Sequence, residues 1–402
     1  MTILTRKKDV SALILLFTIT YMVSYITRIN FGTIIVEIEK NTGIKRSLLS
    51  MALTGSFITY GTGQIISGVL GDRFSPKNLV SCGFIITILM NLTIPFCTSP
   101  YLMTAVWCVN GFAQSLMWPP LVRLMTTLLS DDDYKKASVR VSWGSSFGTM
   151  FIYFVSPVII SFSGWRLVFF VSALAGIIML CVWNKYSYEI QPTKKETSKI
   201  SKTGSNAILF TPVMILVMIA IILQGMLRDG VTTWMPSYID QTFNLGSAVS
   251  ILTGVILPLF GILSFQIAEK LYTKAFKNPV MCAGVLFAFG TLSAFILYGF
   301  SDFNPAISVA LSALLTGAMH GVNLLLICMV PAYFKKYGNV STASGVINSC
   351  TYIGSALSTY GIALLSESFG WSFTLMIWGV IAGFGTLVCF VSAKPWGKKF
   401  QS

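Results

Sequence analysis

Apolar stretches long enough to cross a lipid bilayer recur along the whole chain, and they leave few folds open to it. Of the 402 residues, 54% are hydrophobic and only 10% are charged, a composition too apolar for a soluble globular domain. Within hydrocarbon the backbone N–H and C=O groups must be bonded inside each segment, so every stretch of ~20 residues predicts a helix. We therefore predict an all-α polytopic membrane protein with about twelve transmembrane helices. The predicted spans are 11–35, 49–70, 79–97, 101–125, 138–162, 166–184, 207–230, 247–268, 279–299, 305–331, 340–364 and 369–391.

Lysine and arginine are concentrated in alternate loops, and this distribution predicts the orientation of the chain. The predicted outer side carries only Lys40, Lys45, Arg46 and Arg166. Because cytoplasmic loops are enriched in basic residues, we expect a multi-pass protein of the cell inner membrane with both termini in the cytoplasm. The distribution also explains the net charge of +14, since the basic residues are spread over short loops and form no patch suited to nucleic acid.

A polar stretch at 185–206 is rich in Lys, Ser and Thr, and it lies midway through the predicted spans. Such a composition is typical of a linker between two compact bundles. We therefore expect an N-terminal six-helix bundle over 1–184, a cytoplasmic linker over 185–206 and a C-terminal six-helix bundle over 207–402.

The two halves of the chain repeat each other at a nearly fixed spacing. Arg28 matches Arg228 at an offset of 200, and Gln114 matches His320 at an offset of 206. Several matches that keep their order are typical of transporters built from duplicated bundles. The repeat predicts two pseudo-symmetric bundles that function as a monomer and that each bring an intramembrane arginine to a central substrate cavity.

The first predicted span has a polar and cationic face. A helix places Tyr21, Tyr25, Arg28 and Gly32 on the same side, because steps of three and four residues return to one face. An arginine at the middle of a membrane helix costs about 2.5–3.5 kcal/mol on insertion scales, so Arg28 should face the protein interior or a watery cavity. An anion is the simplest ligand for such a group, although an ion pair or bonds to carbonyl groups would also satisfy it.

The loop between the second and third predicted spans reads Gly-Val-Leu-Gly-Asp-Arg-Phe-Ser-Pro-Lys over residues 68–77. It resembles the cytoplasmic signature loop of the major facilitator superfamily, GxxxD(R/K)xxxx(R/K). In that setting Gly68 would allow two helices to approach closely. Asp72 would pair with a cation or with the N-terminus of a neighbouring helix, and Arg73 would follow it in the charged turn.

Three further stretches resemble the organophosphate:phosphate antiporter family, which includes glycerol-3-phosphate, hexose-phosphate and glucose-6-phosphate transporters. In the first span, residues 25–31 are similar to that family's Y-x-x-R-x-N-F. Residues 110–123 are similar to G-x-x-Q-G-x-G-W-P-P-x-x-(R/K), and residues 228–238 are similar to R-Y-G-V-x-D-W-x-P-T-Y. The resemblance implies secondary active transport by alternating access, in which an organophosphate is exchanged for inorganic phosphate.

The resemblance also implies roles for individual residues. Arg28 and Arg228 would clamp the anion, since a guanidinium fork suits bidentate contact with phosphate or carboxylate oxygens. The other implied substrate-binding positions are Tyr21, Tyr25, Tyr60, Gln64, His320 and Tyr352. The implied gating or structural positions are Gly68, Asp72, Arg73, Trp118, Pro119, Pro120 and Arg123. Packing is the alternative role for the tyrosines, and we expect Arg123 to snorkel or bond helix ends at the cytoplasmic side of its span.

The chain departs from this family at several of these positions. Gln64 stands where the family has a lysine, Ile29 where a lysine often follows the first arginine, and Phe147 where the family has a histidine. His320 replaces a tyrosine, and Asp229 directly follows the second arginine. A site with fewer cations leaves a monoanion or another organic anion open as the substrate. Asp229 could carry a coupled proton, neutralise the neighbouring arginine or face water.

Two other functions stay open from the sequence. The missing lysine, together with His320 and Asp229, favours a proton-coupled symporter of carboxylates or another organic anion. A membrane sensor is the third possibility, because the resembled family also contains sensors, although no extra signalling domain is evident. Enzymatic motifs are absent, and a single histidine cannot build a multi-histidine metal centre, so we expect no enzyme activity, no cofactor and no metal.

Overall fold

The protein is described by a computed structural model that covers residues 7–44, 46–189, 208–245, 253 and 256–400, and every regular element in those ranges is helical. The predicted all-α class is therefore confirmed. In the first half of the chain the helices are α1 (Lys7–Thr33), α2 (Ile35–Thr42), α3 (Arg46–Arg73), α4 (Pro76–Thr93), α5 (Pro100–Ser115), α6 (Trp118–Leu128), α7 (Asp131–Ser163) and α8 (Trp165–Tyr186). In the second half they are α9 (Pro212–Phe243), α10 (Ile256–Lys270), α11 (Pro279–Gly299), α12 (Pro305–Asn323) and α13 (Val340–Phe400), with a break in α13 at Gly370.

Eight helical stretches within the described ranges are long and apolar enough to cross a membrane. They are Lys8–Thr33, Pro76–Phe96, Asp131–Ser163, Trp165–Tyr186, Pro212–Met235, Pro279–Gly299, Pro305–Tyr337 and Ser368–Phe400. The other predicted spans also fall on helices: 49–70 on α3, 101–125 on α5 and α6, and 340–364 on α13. The predicted span 247–268 begins outside the described residues and continues into α10.

The predicted fourth span, 101–125, is two helices in the structure. α5 ends at Ser115, and α6 begins at Trp118 with two prolines in its first turn. Proline has no N–H group, so a continuous helix would leave the carbonyls of Ser115 and Leu116 without their usual donors. At the first turn of a new helix those N–H groups are not needed, and the chain therefore breaks there.

The described residues group into two compact units. The first unit comprises those within Met1–Lys199 and Phe334–Ser349, and the second comprises those within Ile200–Tyr333 and Cys350–Ser402. The short segment Phe334–Ser349 thus groups with the N-terminal helices. The expected linker over 185–206 lies outside the described residues from 190 onward.

The sequence repeat is visible in the way one pair of helices packs inside each unit. In the first unit, Gly148 of α7 lies so close to α1 that a Cβ there would clash with the carbonyl oxygen of Met22. In the second unit, Gly354 of α13 lies in the same way against the carbonyl oxygen of Ile222 in α9. The two glycines are 206 residues apart and their partners 200, which are the offsets found in the sequence. Small residues allow membrane helices to meet backbone to backbone, so the repeat preserves a close helix crossing.

The crossing of α9 and α13 can be tested by adding one methyl group. We expect Gly354→Ala to lower the free energy of unfolding by about 1–3 kcal/mol, because the new Cβ would overlap the carbonyl of Ile222. Gly361→Ala, in the same helix but with nothing within 4 Å of its added Cβ, should be neutral or stabilising by up to about 1 kcal/mol. Thermal unfolding of the purified variants measures the difference, and equal melting temperatures would contradict the close crossing.

Candidate functional site

Arg28 of α1 lies between two tyrosine rings in the first unit. Its guanidinium carbon is 4.0 Å from the ring centroid of Tyr25 and 4.7 Å from that of Tyr60. Tyr25 is one turn earlier on α1, whereas Tyr60 is a buried residue of α3. Aromatic faces attract a planar cation and fix the orientation of its plane. The half-buried arginine is therefore held as an oriented fork of N–H donors.

The aromatic contacts continue from Arg28 to the break between α5 and α6. The ring of Tyr21 lies 5.1 Å from that of Tyr25 and 4.9 Å from that of Trp118, measured between centroids. The structure thus brings together Tyr21, Tyr25, Arg28, Tyr60 and Trp118, which the sequence placed on three different predicted spans. We call these five residues the Arg28 cluster.

Gln64 is one turn beyond Tyr60 on α3 and is fully buried. Its side-chain oxygen accepts a hydrogen bond of 3.1 Å from Nδ2 of Asn348, a residue of the first unit that sequence reasoning did not select. Its Nε2 group is buried with no acceptor among the described residues, and the same is true of Nε1 of Trp118. A buried donor without a partner costs about 1–3 kcal/mol, so both are candidates to donate to a ligand.

A buried network of amide and hydroxyl groups sets the rotation of α1. Nδ2 of Asn30 donates to Oδ1 of Asn91 at 2.7 Å, and Nε2 of Gln114 donates to Oγ1 of Thr27 at 2.9 Å. The carbonyl of Thr27 also accepts from Nδ2 of Asn91 at 3.1 Å and from Nδ2 of Asn110 at 3.3 Å. Sequence reasoning missed Asn91 and Asn110, although an amide inside an apolar span is a signal that could have revealed them.

This network also explains the direction of Arg28. Successive residues of an α-helix differ by about 100° around its axis. Because Thr27 and Asn30 are fixed against α4 and α5, the intervening Arg28 is presented on a different face of α1, where it contacts Tyr25 and Tyr60.

In the second unit, Arg228 forms a bidentate ion pair with the residue that follows it. Nε of Arg228 is 2.6 Å from Oδ1 of Asp229, and Nη2 is 2.8 Å from Oδ2. The hydroxyl of Ser355 on α13 also donates to Oδ2 of Asp229 through a short hydrogen bond, and it shares its single proton with the carbonyl of Thr351 at 3.0 Å. Of the three roles left open for Asp229, the structure shows the pairing with its neighbouring arginine.

His320 of α12 is a further polar group in this part of the second unit. Its ring stands edge-on to Phe265 at 5.6 Å between centroids and lies against Gly261 of α10. It is within electrostatic range of both Arg228 and Asp229. Tyr352, half-buried, is one turn before Ser355 on α13. In the second unit, Ser355 and His320 thus lie near the ion pair of Arg228 and Asp229.

The signature loop is bound to the first turn of α13 within the first unit. Oδ1 of Asp72 accepts from the backbone N–H of Ser341 at 3.0 Å, and Oδ2 accepts from that of Thr342 at 2.7 Å. A carboxylate at a helix N-terminus bonds amide groups that the helix leaves unpaired. Burial raises the pKa of Asp72, while hydrogen bonds from Thr342 and Ser341 and the charge of Arg123 act in the opposite direction. At Gly68 a Cβ would clash with the carbonyl of Ser341, so this glycine permits the approach.

Arg123 of α6 bonds the end of α3. Its Nη1 donates a short hydrogen bond to the carbonyl of Gly71 and a second one of 3.3 Å to that of Phe74. Pro120, one turn earlier, packs beside Gly71, whereas Arg73 is exposed to solvent. The structure therefore joins the proline-containing helix to the signature loop through Arg123 and leaves Arg73 outside this contact.

Removing the guanidinium of Arg123 should destabilise the fold. Arg123→Met leaves the buried carbonyl of Gly71 and the partly buried carbonyl of Phe74 without this donor, and we expect a loss of about 1–3 kcal/mol in the free energy of unfolding. Arg73→Met, at the exposed neighbour in the same loop, should change it by less than about 0.5 kcal/mol. Thermal unfolding of the purified variants would contradict the assignment if the two substitutions had equal effects.

The geometry defines a multi-pass helical membrane protein with two repeated units. In each unit an intramembrane arginine is in contact with polar or aromatic side chains. A sequence model described as the Major Facilitator Superfamily matches residues 17–359. The chain therefore belongs to the Major Facilitator Superfamily, as its signature loop predicted, and it is a transporter-type protein rather than an enzyme.

Comparison with known proteins confirms the resemblance to organophosphate carriers and sensors at low identity. The membrane sensor protein UhpC of Escherichia coli (strain K12) is 22% identical, with 92% of this chain and 88% of that protein covered. A probable hexose phosphate transport protein of Chlamydia muridarum is 23% identical, with 87% and 84% covered. The fold is similar to that of the proton:xylose symporter XylE, with a TM-score of 0.79, 14% identity and 96% of each chain covered.

Proposed function

We propose that this protein transports a small organic anion by alternating access, and that its leading substrate is an organophosphate exchanged for inorganic phosphate. The observation that carries the proposal is the Arg28 cluster, in which a guanidinium inside an apolar unit is oriented by Tyr25 and Tyr60. The similarity to a probable hexose phosphate transport protein supports a sugar phosphate as the first substrate to test.

The groups near Arg28 are suited to an anion because several of them are donors. A planar guanidinium can give two parallel N–H···O bonds to phosphate or carboxylate oxygens. The buried Nε2 of Gln64 and Nε1 of Trp118 add neutral donors, and neither has an acceptor among the described residues. Gln64 can therefore replace the donor of the family's lysine without replacing its charge.

The proposed substrate contacts follow the sequence repeat. Arg28 and Arg228 are the two cations that bind the substrate anion, because they occupy equivalent positions of the repeat. The phenol groups of Tyr21, Tyr25, Tyr60 and Tyr352 and the ring of His320 supply neutral hydrogen bonds or apolar surface to the same substrate. The protein works as a monomer, since the repeat supplies both bundles within one chain.

Two further functions each have an observation in their favour. A carboxylate bonded to Arg228 favours proton-coupled symport of an organic anion, because a carboxylate can take up a proton when the anion binds. The similarity to the sensor protein UhpC favours a sensor that binds its ligand with little turnover. These functions differ in flux and in coupling rather than in the type of ligand.

Exchange can be measured after reconstitution in vesicles loaded with inorganic phosphate. We expect uptake of labelled glucose 6-phosphate that depends on internal phosphate, and a loss of about tenfold or more in Arg28→Lys, which keeps the charge but loses the planar fork. Arg166→Lys is the matched control, because Arg166 also lies over an aromatic ring, at 4.8 Å from that of Trp165, but is at the predicted outer end of its span.

Each outcome of this measurement selects one function. Uptake driven by an imposed pH gradient, with no need for internal phosphate, would replace exchange by symport. Equilibrium binding without flux would indicate a sensor. Equal uptake by the Arg28→Lys and Arg166→Lys variants would contradict the assignment of Arg28 to the site.

We also propose that the protein lies in the inner membrane with both termini in the cytoplasm, on the strength of the lysine and arginine distribution. A fluorescent protein that matures only in the cytoplasm, fused after Ser402, should fluoresce. An alkaline phosphatase fused at the same place should be inactive, because that enzyme folds only outside the cytoplasm. The reverse pattern would overturn the orientation.

A further inference from the structure

The ion pair between Arg228 and Asp229 joins two residues that are adjacent on a helix. Adjacent helical side chains leave the axis about 100° apart and do not normally face each other. The two bonds of 2.6 and 2.8 Å therefore require the long arginine side chain to bend toward the short aspartate. Such a pair can open by rotation of the arginine side chain alone, with no movement of the helix backbone.

The donors used in this pair are the ones that an anionic ligand would use. Asp229 accepts hydrogen bonds from both Nε and Nη2 of Arg228, which form one side of the guanidinium fork. A phosphate or carboxylate ligand binds arginine through two parallel N–H···O bonds of the same kind. An anion that uses this side of the fork must first displace Asp229.

The carboxylate of Asp229 has a second hydrogen-bond partner that does not depend on the arginine. The hydroxyl of Ser355 already donates to Oδ2 of Asp229, so the carboxylate keeps one bond when the arginine leaves. The side chains of Arg228 and Asp229 are 15% and 31% exposed, so solvent screens the pair only in part. The charged or titratable groups acting on Asp229 are Arg228 on its own helix and His320 on α12, while α13 contributes the neutral Ser355.

We propose that Asp229 is a counter-ion built into the chain that competes with the substrate for Arg228 and thereby selects for substrates of low negative charge. The inference rests on the proposed function, because it assumes that Arg228 binds the substrate anion. After displacement Asp229 stays beside the arginine, held by Ser355, and it repels a bound dianion about twice as strongly as a monoanion at the same distance. The residue is thus a determinant of substrate charge.

The test compares two ligands that differ in charge and little in shape. Glucose 6-phosphate is a dianion at alkaline pH, and its phosphate methyl ester is a monoanion at the same pH. Their dissociation constants would be measured on the purified full-length protein and on Asp229→Asn, which keeps the size of the side chain. We expect the variant to shift the ratio of the two constants in favour of the dianion by about tenfold, which corresponds to about 1.4 kcal/mol.

Matched variants separate this role from a structural one. Asp240→Asn, at another half-buried carboxylate further along α9, should leave the ratio unchanged. Asp229→Glu, which keeps the negative charge, should leave the ratio close to that of the wild type, because the repulsion depends on that charge. Ser355→Ala should change the binding of both ligands by a similar factor, since it removes a neutral bond to the carboxylate and no charge.

The outcomes distinguish this inference from the proposed function. An unchanged ratio in an Asp229→Asn protein that melts like the wild type would overturn the inference and leave the proposed function standing. An equal change in affinity for both ligands would also overturn it, because a purely structural role has that effect. If neither ligand bound to the wild type or to the variant, the proposed function would fall together with the inference.

Discussion

An ionised arginine inside an apolar helix must be stabilised by its neighbours, and the stabilising neighbours differ between the two units. In the first unit the faces of Tyr25 and Tyr60 receive the guanidinium of Arg28. In the second unit the carboxylate of Asp229 accepts hydrogen bonds from two N–H groups of Arg228. The two arginines match in the repeat, yet Arg28 lies between aromatic faces whereas Arg228 is bonded to a carboxylate. The duplicated fold therefore gives its two matching arginines unlike surroundings.

Close helix crossings and a few hydrogen bonds hold the arginine-bearing helices in position. Gly148 brings α7 against α1, and Gly354 brings α13 against α9, so that the helices carrying the arginines cannot rotate without a steric clash. In the first unit the bonds of Thr27 and Asn30 to α4 and α5 add a polar restraint. In the second unit Ser355, one residue beyond the close crossing, bonds the carboxylate partner of the arginine. Helix packing and site geometry thus depend on the same few contacts.

The relatives of this chain include a sensor and a probable hexose phosphate transport protein, so the family fold alone does not decide between binding and transport. The features particular to this chain lie among the proposed ligand groups: Gln64 is a neutral donor at a position where a lysine is typical of the resembled family, and Asp229 adds a negative charge. Both changes lower the positive charge available to a substrate. The charge of the ligand is therefore the property that these two residues would affect most directly.

Hydropathy and residue spacing determined the helical class, the places of the spans, the repeat and the intramembrane arginines. These features follow from local chemistry, because a backbone in hydrocarbon must bond within its own segment and a buried arginine is costly wherever it lies. The tertiary structure alone decided which residues form hydrogen bonds with each other. Asn348 bonds Gln64, Asn30 bonds Asn91, and backbone amides of α13 bond Asp72. Only the structure showed that the predicted fourth span is two helices separated at its prolines, and that the side chain of Arg228 is directed toward Asp229. Such contacts join residues far apart in the chain or depend on the choice of rotamer, and a pattern along one sequence contains neither the distance between two helices nor the direction of a side chain.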